Sequence, residues 1–243
     1  MGRAHEVRAA SMAKTAAAKS KLNNKWSRII YMAAKSGVPD PDLNQTLKKE
    51  IEKAKKEQAS ADVIKRAIEK AKGANQESYT ELVLEGFGPG NSMVVVECLT
   101  DNHNRTQTAV KVALMKTGGK LAGSGAVTYM FDHLAVFSYE NGQSEEEVLE
   151  TLLMADCDVT DIENEDGIIT IYAPNTEYAK IRDALQEAMP DIDLTVDTIA
   201  WMPKNYVKLE SDKEKEQFNR MLEMLEDDDD VQEVYHNVEG LNE

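Results

Sequence analysis

Hydrophobic residues along this chain first follow a helical spacing and later a strand spacing. Between residues 21 and 73 they recur every three or four positions, as amphipathic helices require, and a glycine follows the first and third of these patterns. Asp40 and Pro41 are typical of an N-cap and a first helical residue, so the second helix is predicted to begin there and to bury Leu43. The segment predicts a bundle of three helices.

After residue 78 the apolar runs become short and are bounded by glycine, which is typical of strands. Residues 82–84 and 93–98 are predicted as strands on either side of residues 86–90, Gly-Phe-Gly-Pro-Gly. That turn could bind phosphate, but Pro89 removes an amide donor and a strand follows instead of a helix. A tight turn between strands is the favoured interpretation.

Helix starts are marked by three segments that resemble capping boxes. Residues 104–107, Asn-Arg-Thr-Gln, are predicted to open a helix that ends at residues 118–119, and residues 127–131 are predicted as the strand after it. Ser144 with Glu147, and Ser211 with Glu214, are predicted to start two later helices.

The block from residue 134 to residue 205 alternates in the order β-α-β-β-α-β, which is the ferredoxin-like arrangement. Strands are predicted at residues 135–139, 159–162, 167–172 and 194–201, and helices at residues 145–155 and 176–188.

The last apolar run, residues 231–238, is predicted as a strand. Because a lone strand must pair with a sheet, we expect it to join the sheet of residues 78–132. The fold class is therefore α+β, with an N-terminal helical bundle and two α/β domains, the last ferredoxin-like. The predicted domains are residues 1–76, residues 77–133 with 206–243, and an inserted domain at residues 134–205.

Charge is divided along the chain. Residues 1–72 carry 17 Lys and Arg against 8 Asp and Glu, whereas residues 73–243 carry 11 against 36. The formal net charge of −16 thus combines a basic segment of +9 with an acidic body of −25. Clustered Lys and Arg bind polyanions by releasing counterions, so nucleic acid becomes a candidate partner despite the acidic composition.

Other classes of function find little support in the sequence. No apolar run is long enough to cross a membrane and no secretory signal opens the chain, so we expect a soluble cytosolic protein. Cys98 and Cys157 lie in apolar stretches and are predicted to be buried and reduced. The four histidines have no metal-ligand spacing and no nucleophile motif is present, so we expect no enzyme, cofactor, metal or small-molecule substrate.

Three polar segments leave alternatives open. The glycines around Lys120 could approach a nucleic-acid backbone or simply connect two elements. Residues 227–230, four aspartates, could ligate a cation, but a solvated charge run is favoured. Residues 100–106 could form a binding loop or cap the following helix. The candidate loop residues are Asn102, His103, Asn104, Arg105 and Lys120.

Basic residues of the first helix share one face. Lys14, Lys21, Lys25, Arg28 and Lys35 fall within roughly 80° on a helical projection, beside the apolar face that contains Trp26. Glu6 is the only acid before Asp40, so pairing within the helix cannot neutralise them. We expect Trp26 in the core. The predicted phosphate-binding residues are Arg3, Arg8, Lys14, Lys19, Lys21, Lys25, Arg28 and Lys35.

Five distinctive segments follow one another along the chain: residues 85–90 (EGFGPG), 97–106 (ECLTDNHNRT), 118–121 (GGKL), 127–131 (VTYMF) and 226–237 (EDDDDVQEVYHN). In this order they resemble the YebC/PmpR family, which includes mitochondrial translational activators of cytochrome oxidase.

The resemblance implies a three-domain fold and a nucleic-acid-binding regulator, most members being described as probable DNA-binding transcriptional regulators. Other members act on ribosomes during translation, so ribosomal or transfer RNA is the alternative partner. Both roles require a surface that binds polyanions. No helix-turn-helix with a polar recognition face is evident, so the sequence does not support base-specific reading.

Overall fold

A computed structural model describes residues 19–73, 78–140 and 143–240, with side chains from Lys21 onward. The described chain falls into two compact units. One contains residues 19–126 and 209–234, and the other contains residues 127–208 and 235–240. Helices and antiparallel sheets both occur, so the predicted α+β class is confirmed. The three predicted domain boundaries stay a prediction.

Three helices open the first unit: α1 (Lys19–Lys35), α2 (Gln45–Lys56) and α3 (Ala61–Lys72). Their apolar faces meet in one core, in which Trp26, Ile30 and Leu47 are buried. The indole Nε1 of Trp26 donates a hydrogen bond to Glu57, so this ring is a core residue with a satisfied donor. The predicted helical bundle is confirmed.

The start of α2 differs from the prediction. Asn44, not Asp40, is the N-cap, because its side chain accepts from the amide of Leu47 and donates to the carbonyls of Ala33 and Val38. This one side-chain amide caps α2 and also satisfies a carbonyl in the last turn of α1 and a carbonyl in the loop after it. Asp40 instead forms a turn, which leaves Leu43 exposed.

The first sheet contains β1 (Thr80–Phe87), β2 (Met93–Thr100), β3 (Lys120–Leu121) and β8 (Val231–His236), in the order β3-β1-β2-β8. Helix α4 (His103–Lys116) follows β2, and α7 (Asp212–Glu226) precedes β8. The final strand therefore joins this sheet, as predicted.

The glycine-rich segment is the predicted turn between β1 and β2. The amide of Gly88 donates to the carbonyl of Ser92 across a single 3₁₀ turn, Pro89–Asn91. Gly90 has a φ of 63°, which favours glycine. The amide of Gly88 is therefore used within the turn, which supports a structural role for this segment over phosphate binding.

The second unit has the predicted β-α-β-β-α-β order: β4 (Phe131–Glu140), α5 (Glu145–Met154), β5 (Asp161–Glu165), β6 (Ile168–Pro174), α6 (Tyr178–Ala188) and β7 (Leu194–Pro203). The strands lie antiparallel in the order β5-β6-β4-β7, which is the ferredoxin-like sheet. Both helices pack on an apolar sheet face that includes Phe137 and Ile171.

Two of the three predicted capping boxes are confirmed, those of Ser144 and Ser211. The third is wrong, because α4 begins two residues earlier and is capped by Asn102, whose side chain accepts from the amide of Arg105. The predicted strand at residues 127–131 is also wrong. A 3₁₀ turn, Thr128–Met130, leaves Tyr129 exposed before β4 begins.

Stability should depend on pH through His236 in β8. Burial lowers the pKa of this imidazole to about 4, against about 6.5 for an unfolded chain. The unfolded state therefore binds more protons between these values, so stability is full above about pH 6.5 and falls as the pH is lowered towards 4. Chemical denaturation at pH 7 and at pH 4.5 measures the free energy of unfolding at each pH. Between these two values the wild type should lose about 2 kcal/mol more of this free energy than His236→Asn. Equal losses would contradict this.

Candidate nucleic-acid interface

The basic face of α1 lies against acidic residues from the far end of the chain. Asn24 donates to Asp229, 3.2 Å away, and Lys25 forms an ion pair with Glu233. Lys21 lies in the field of residues 226–229, which raises its pKa, but partial burial has the larger effect and lowers it. The predicted phosphate-binding face is thus engaged within the protein over much of its length.

Arg28 makes the most extensive of these contacts. Its Nη1 donates to the carbonyl oxygens of Leu99 and Asp229, at 2.9 and 2.7 Å, and to Asp230 Oδ1 at 2.8 Å. Only 4% of the Asp230 side chain is exposed. A short acidic segment therefore joins α1 to the end of β2.

Asp230 is the centre of a wider polar network. Its Oδ2 accepts from Arg105 Nη2 at 2.6 Å, Thr106 Oγ1 at 2.7 Å and Thr100 Oγ1 at 3.2 Å. Burial by itself raises the pKa of Asp230, but the hydrogen bonds from Arg105, Thr106 and Arg28 outweigh it and hold the pKa below the ordinary value. The interpretation of this aspartate as part of a solvated run is wrong.

Of the other predicted phosphate contacts, only Lys35 has a described side chain. Lys35 lies over the ring of Tyr31, 6.0 Å from its centroid. Arg3, Arg8, Lys14 and the side chain of Lys19 lie outside the described residues. Phosphate binding by all of these residues stays a prediction, although Lys25 and Arg28 already have carboxylate partners.

Exposed lysines of α2 and α3 were not singled out by the sequence pattern. Lys48, Lys55 and Lys65 are exposed, and none forms an ion pair with another described residue. The excess of lysine over acidic residues in α2 and α3 is the sequence feature that could have indicated them. Lys48 and Lys55 therefore add exposed positive charge to the described part of the helical bundle.

The candidate loop at residues 102–105 mainly starts α4. Asn102 is the N-cap, His103 Nε2 lies 2.6 Å from Thr80 Oγ1, and Arg105 bridges Asp101 and Asp230. Asn104 is exposed on the helix surface. Lys120 lies elsewhere, in β3, with its ammonium 5.3 Å from the centroid of Phe87. The loop residues are thus partly structural.

The sequence contained a second basic signal that pattern reasoning missed. No acid occurs between Asp101 and Asp132, whereas four Lys and Arg do, in a body that is otherwise strongly acidic. Lys111 and Lys116, on the exposed side of α4, belong to this acid-free stretch.

Other chemistry is not favoured by the described part of the chain. Cys98 and Cys157 are buried and unpaired, and burial raises the pKa of both thiols, that of Cys98 to about 12. Within the described ranges, no three His, Cys, Asp or Glu side chains are grouped so as to hold a metal ion. None of the described helices combines the length and apolar character needed to cross a membrane.

Comparison with known proteins gives consistent results along the chain. Residues 3–74 match the TACO1/YebC protein N-terminal domain, and residues 79–238 match the TACO1/YebC second and third domain. Probable transcriptional regulatory proteins of Pseudoalteromonas translucida and Vibrio vulnificus are each 52% identical over 98% of this chain, covering 98% and 100% of their own lengths.

A solved structure shares the fold. The crystal structure of a conserved hypothetical protein, Aq1575 from Aquifex aeolicus, matches with a TM-score of 0.75 and 32% identity over 93% of both chains. Together with the matched domains and the close relatives, this shows that the chain belongs to the TACO1/YebC family.

Proposed function

We propose that this protein is a cytosolic, non-enzymatic regulator that binds DNA and acts on transcription, with basic residues of its N-terminal segment contacting phosphates. The observation that carries the proposal is the +9 charge of residues 1–72 on an otherwise acidic chain. Similar proteins are named probable transcriptional regulatory proteins, which supports a regulatory role.

The contacts of α1 narrow the set of basic side chains that are available to bind phosphate. Lys25 and Arg28 pair with Glu233 and Asp230 and therefore stabilise the fold. Arg3, Arg8 and Lys14, together with exposed lysines such as Lys48 and Lys55, then supply the phosphate contacts. Because phosphate contacts carry no sequence information, this surface gives affinity without base selectivity.

Salt dependence tests this proposal. If five to seven side chains contact phosphates, the logarithm of the affinity for duplex DNA should fall against the logarithm of salt concentration with a slope of about −5 to −6. Replacing Arg3, Arg8 and Lys14 by Gln should make the slope shallower by about 2.7, as fluorescence anisotropy between 50 and 200 mM salt can measure.

The matched control removes three charges from the second unit, at Lys180, Lys204 and Lys208, each of which already pairs with a carboxylate. This variant should bind like the wild type. A wild-type slope near zero would refute the proposal. So would exclusive co-sedimentation with ribosomes when DNA and ribosomes compete at the same salt concentration, because the partner would then be RNA.

A further inference from the structure

A run of acidic residues lies at the C-terminal end of α7, where a helix favours positive charge. Glu226 and Asp227 are its last residue and its C-cap, and Asp228 and Asp229 follow directly. The last turn, residues 223–226, contains no Lys or Arg. Because unpaired carbonyls give a helix C-terminus partial negative charge, acids at this position destabilise the helix. The stability of α7 itself therefore does not explain them.

The basic face of α1 supplies the positive charge that α7 lacks. Lys21, Asn24 and Lys25 lie within about 100° on a helical projection, and α1 contains no acidic residue. Lys21 lies in the electrostatic field of residues 226–229, and Asn24 donates a hydrogen bond to the last of these. Lys25 forms an ion pair with Glu233 in β8. We name residues 226–233 the acidic segment.

The contacts of the acidic segment differ in how accessible they are. Asp230 is an inner anchor, with only 4% of its side chain exposed. The side chains of Lys25 and Glu233 are 20% and 27% exposed, and both Asn24 and Asp229 are exposed. A phosphate group in solution can therefore reach the outer contacts without release of the inner anchor.

The outer acids present to α1 the same chemistry that a nucleic acid would present. Carboxylate and phosphate oxygens both accept charge-assisted hydrogen bonds from lysine, and both accept from asparagine amides. Residues 226–230 carry five consecutive negative charges, and Glu233 adds a sixth. The acidic segment therefore neutralises the side chains that a row of phosphates would contact.

We propose that the acidic segment is autoinhibitory, because it occupies the basic face of α1 and competes with the phosphates of duplex DNA for this face. When DNA binds, phosphates replace the outer acids on Asn24 and Lys25, while Asp230 keeps the segment attached. This inference rests on the proposed function and adds regulation to the same surface. The apparent affinity for DNA is lowered according to the fraction of molecules in which the face is occupied.

The test uses the full chain with three outer acids neutralised, Asp227→Asn, Asp229→Asn and Glu233→Gln. We call this protein the acid variant. Asp228 is kept because its Oδ1 accepts from the amide of Asp230, 2.8 Å away, and Asp230 is kept as the anchor.

The acid variant should bind duplex DNA more tightly than the wild type does. Release of Lys21 and Lys25 allows about two further phosphate contacts, so the salt slope should steepen by about 1.8 and the affinity at 100 mM salt should rise about tenfold. Fluorescence anisotropy between 50 and 200 mM salt measures both quantities.

The matched control neutralises three acids of the second unit, Glu150→Gln, Glu187→Gln and Asp191→Asn. All three residues are exposed, and none forms an ion pair with another described residue. The control has the same net charge as the acid variant but frees no basic side chain, so it should bind within about twofold of the wild type.

A double-mutant cycle on Lys25 and Glu233 distinguishes direct competition from a general effect of charge. In the wild type, Lys25→Gln removes a side chain that is already paired, whereas in Glu233→Gln it removes an available phosphate contact. The loss of DNA affinity should therefore be at least about threefold larger in the Glu233→Gln background. Equal losses would overturn the inference, because charges that act independently have additive effects.

The outcomes keep this inference distinct from the proposed function. If neither the wild type nor the acid variant binds duplex DNA, the proposed function fails and the inference fails with it. If the wild type binds with a steep salt slope and the acid variant binds like the control, the autoinhibitory role alone is refuted. Circular dichroism checks the fold of each variant, and the cycle decides the question if the acid variant is unfolded, because it changes at most two side chains.

Discussion

Replacing Asp230 by Ala should lower the free energy of unfolding by about 3–5 kcal/mol, the range found when one partner of a buried ion pair is removed. The substitution leaves Arg28 facing two carbonyl oxygens without its carboxylate and takes an acceptor from Arg105, Thr100 and Thr106. Urea denaturation at pH 7 measures the difference.

The control for Asp230→Ala is Asp62→Ala. Asp62 pairs with Arg66 one helical turn later, and both side chains are more than half exposed, so its loss should cost no more than about 0.5 kcal/mol. If Asp230→Ala cost as little, the network around Asp230 would not hold α1 to the sheet. The charges of Lys25 and Arg28 would then have to be reconsidered as phosphate contacts.

Gly119→Ala should cost about 3 kcal/mol, at the upper end for side chains forced into a packed site. A Cβ on Gly119 would lie 2.4 Å from the carbonyl oxygen of Phe87 and 3.2 Å from the carbonyl oxygen of Leu114. Both are backbone atoms, so neither can move without disturbing β1 or the end of α4. The free energy of unfolding measured by chemical denaturation and the midpoint of thermal unfolding should both fall.

Gly123→Ala is the matched control, because nothing lies within 4 Å of the Cβ that it would add. Its stability should stay within about 0.5 kcal/mol of the wild type. Equal effects of the two substitutions would show that the close approach at Gly119 does not constrain the chain. Gly119 directly precedes β3, in which Lys120 pairs opposite Phe87.

Local rules predicted most elements where the local signal was complete. Ser144 and Ser211 each have the acid three residues later that a capping box needs, and both helices start there. The local rules gave wrong helix starts where a residue distant in sequence contacts the cap. Asn44 displaced Asp40 as a cap because it also binds Ala33, and Asn102 displaced Asn104 because Thr106 is buried in the network of Asp230.

The helical bundle, the ferredoxin-like order and the separation of charge could each be predicted from the chain, since each follows from periodicity or composition within a continuous segment. The pairing of the charges depends on contacts that form only in the folded protein. Arg28 and its partner Asp230 are 202 residues apart, and Lys25 and Glu233 are 208 apart, so no local pattern could pair them. Folding brings the acidic end of the chain onto the basic face of α1, because β8 must pair with β2, and leaves other lysines, such as Lys48 and Lys55, exposed.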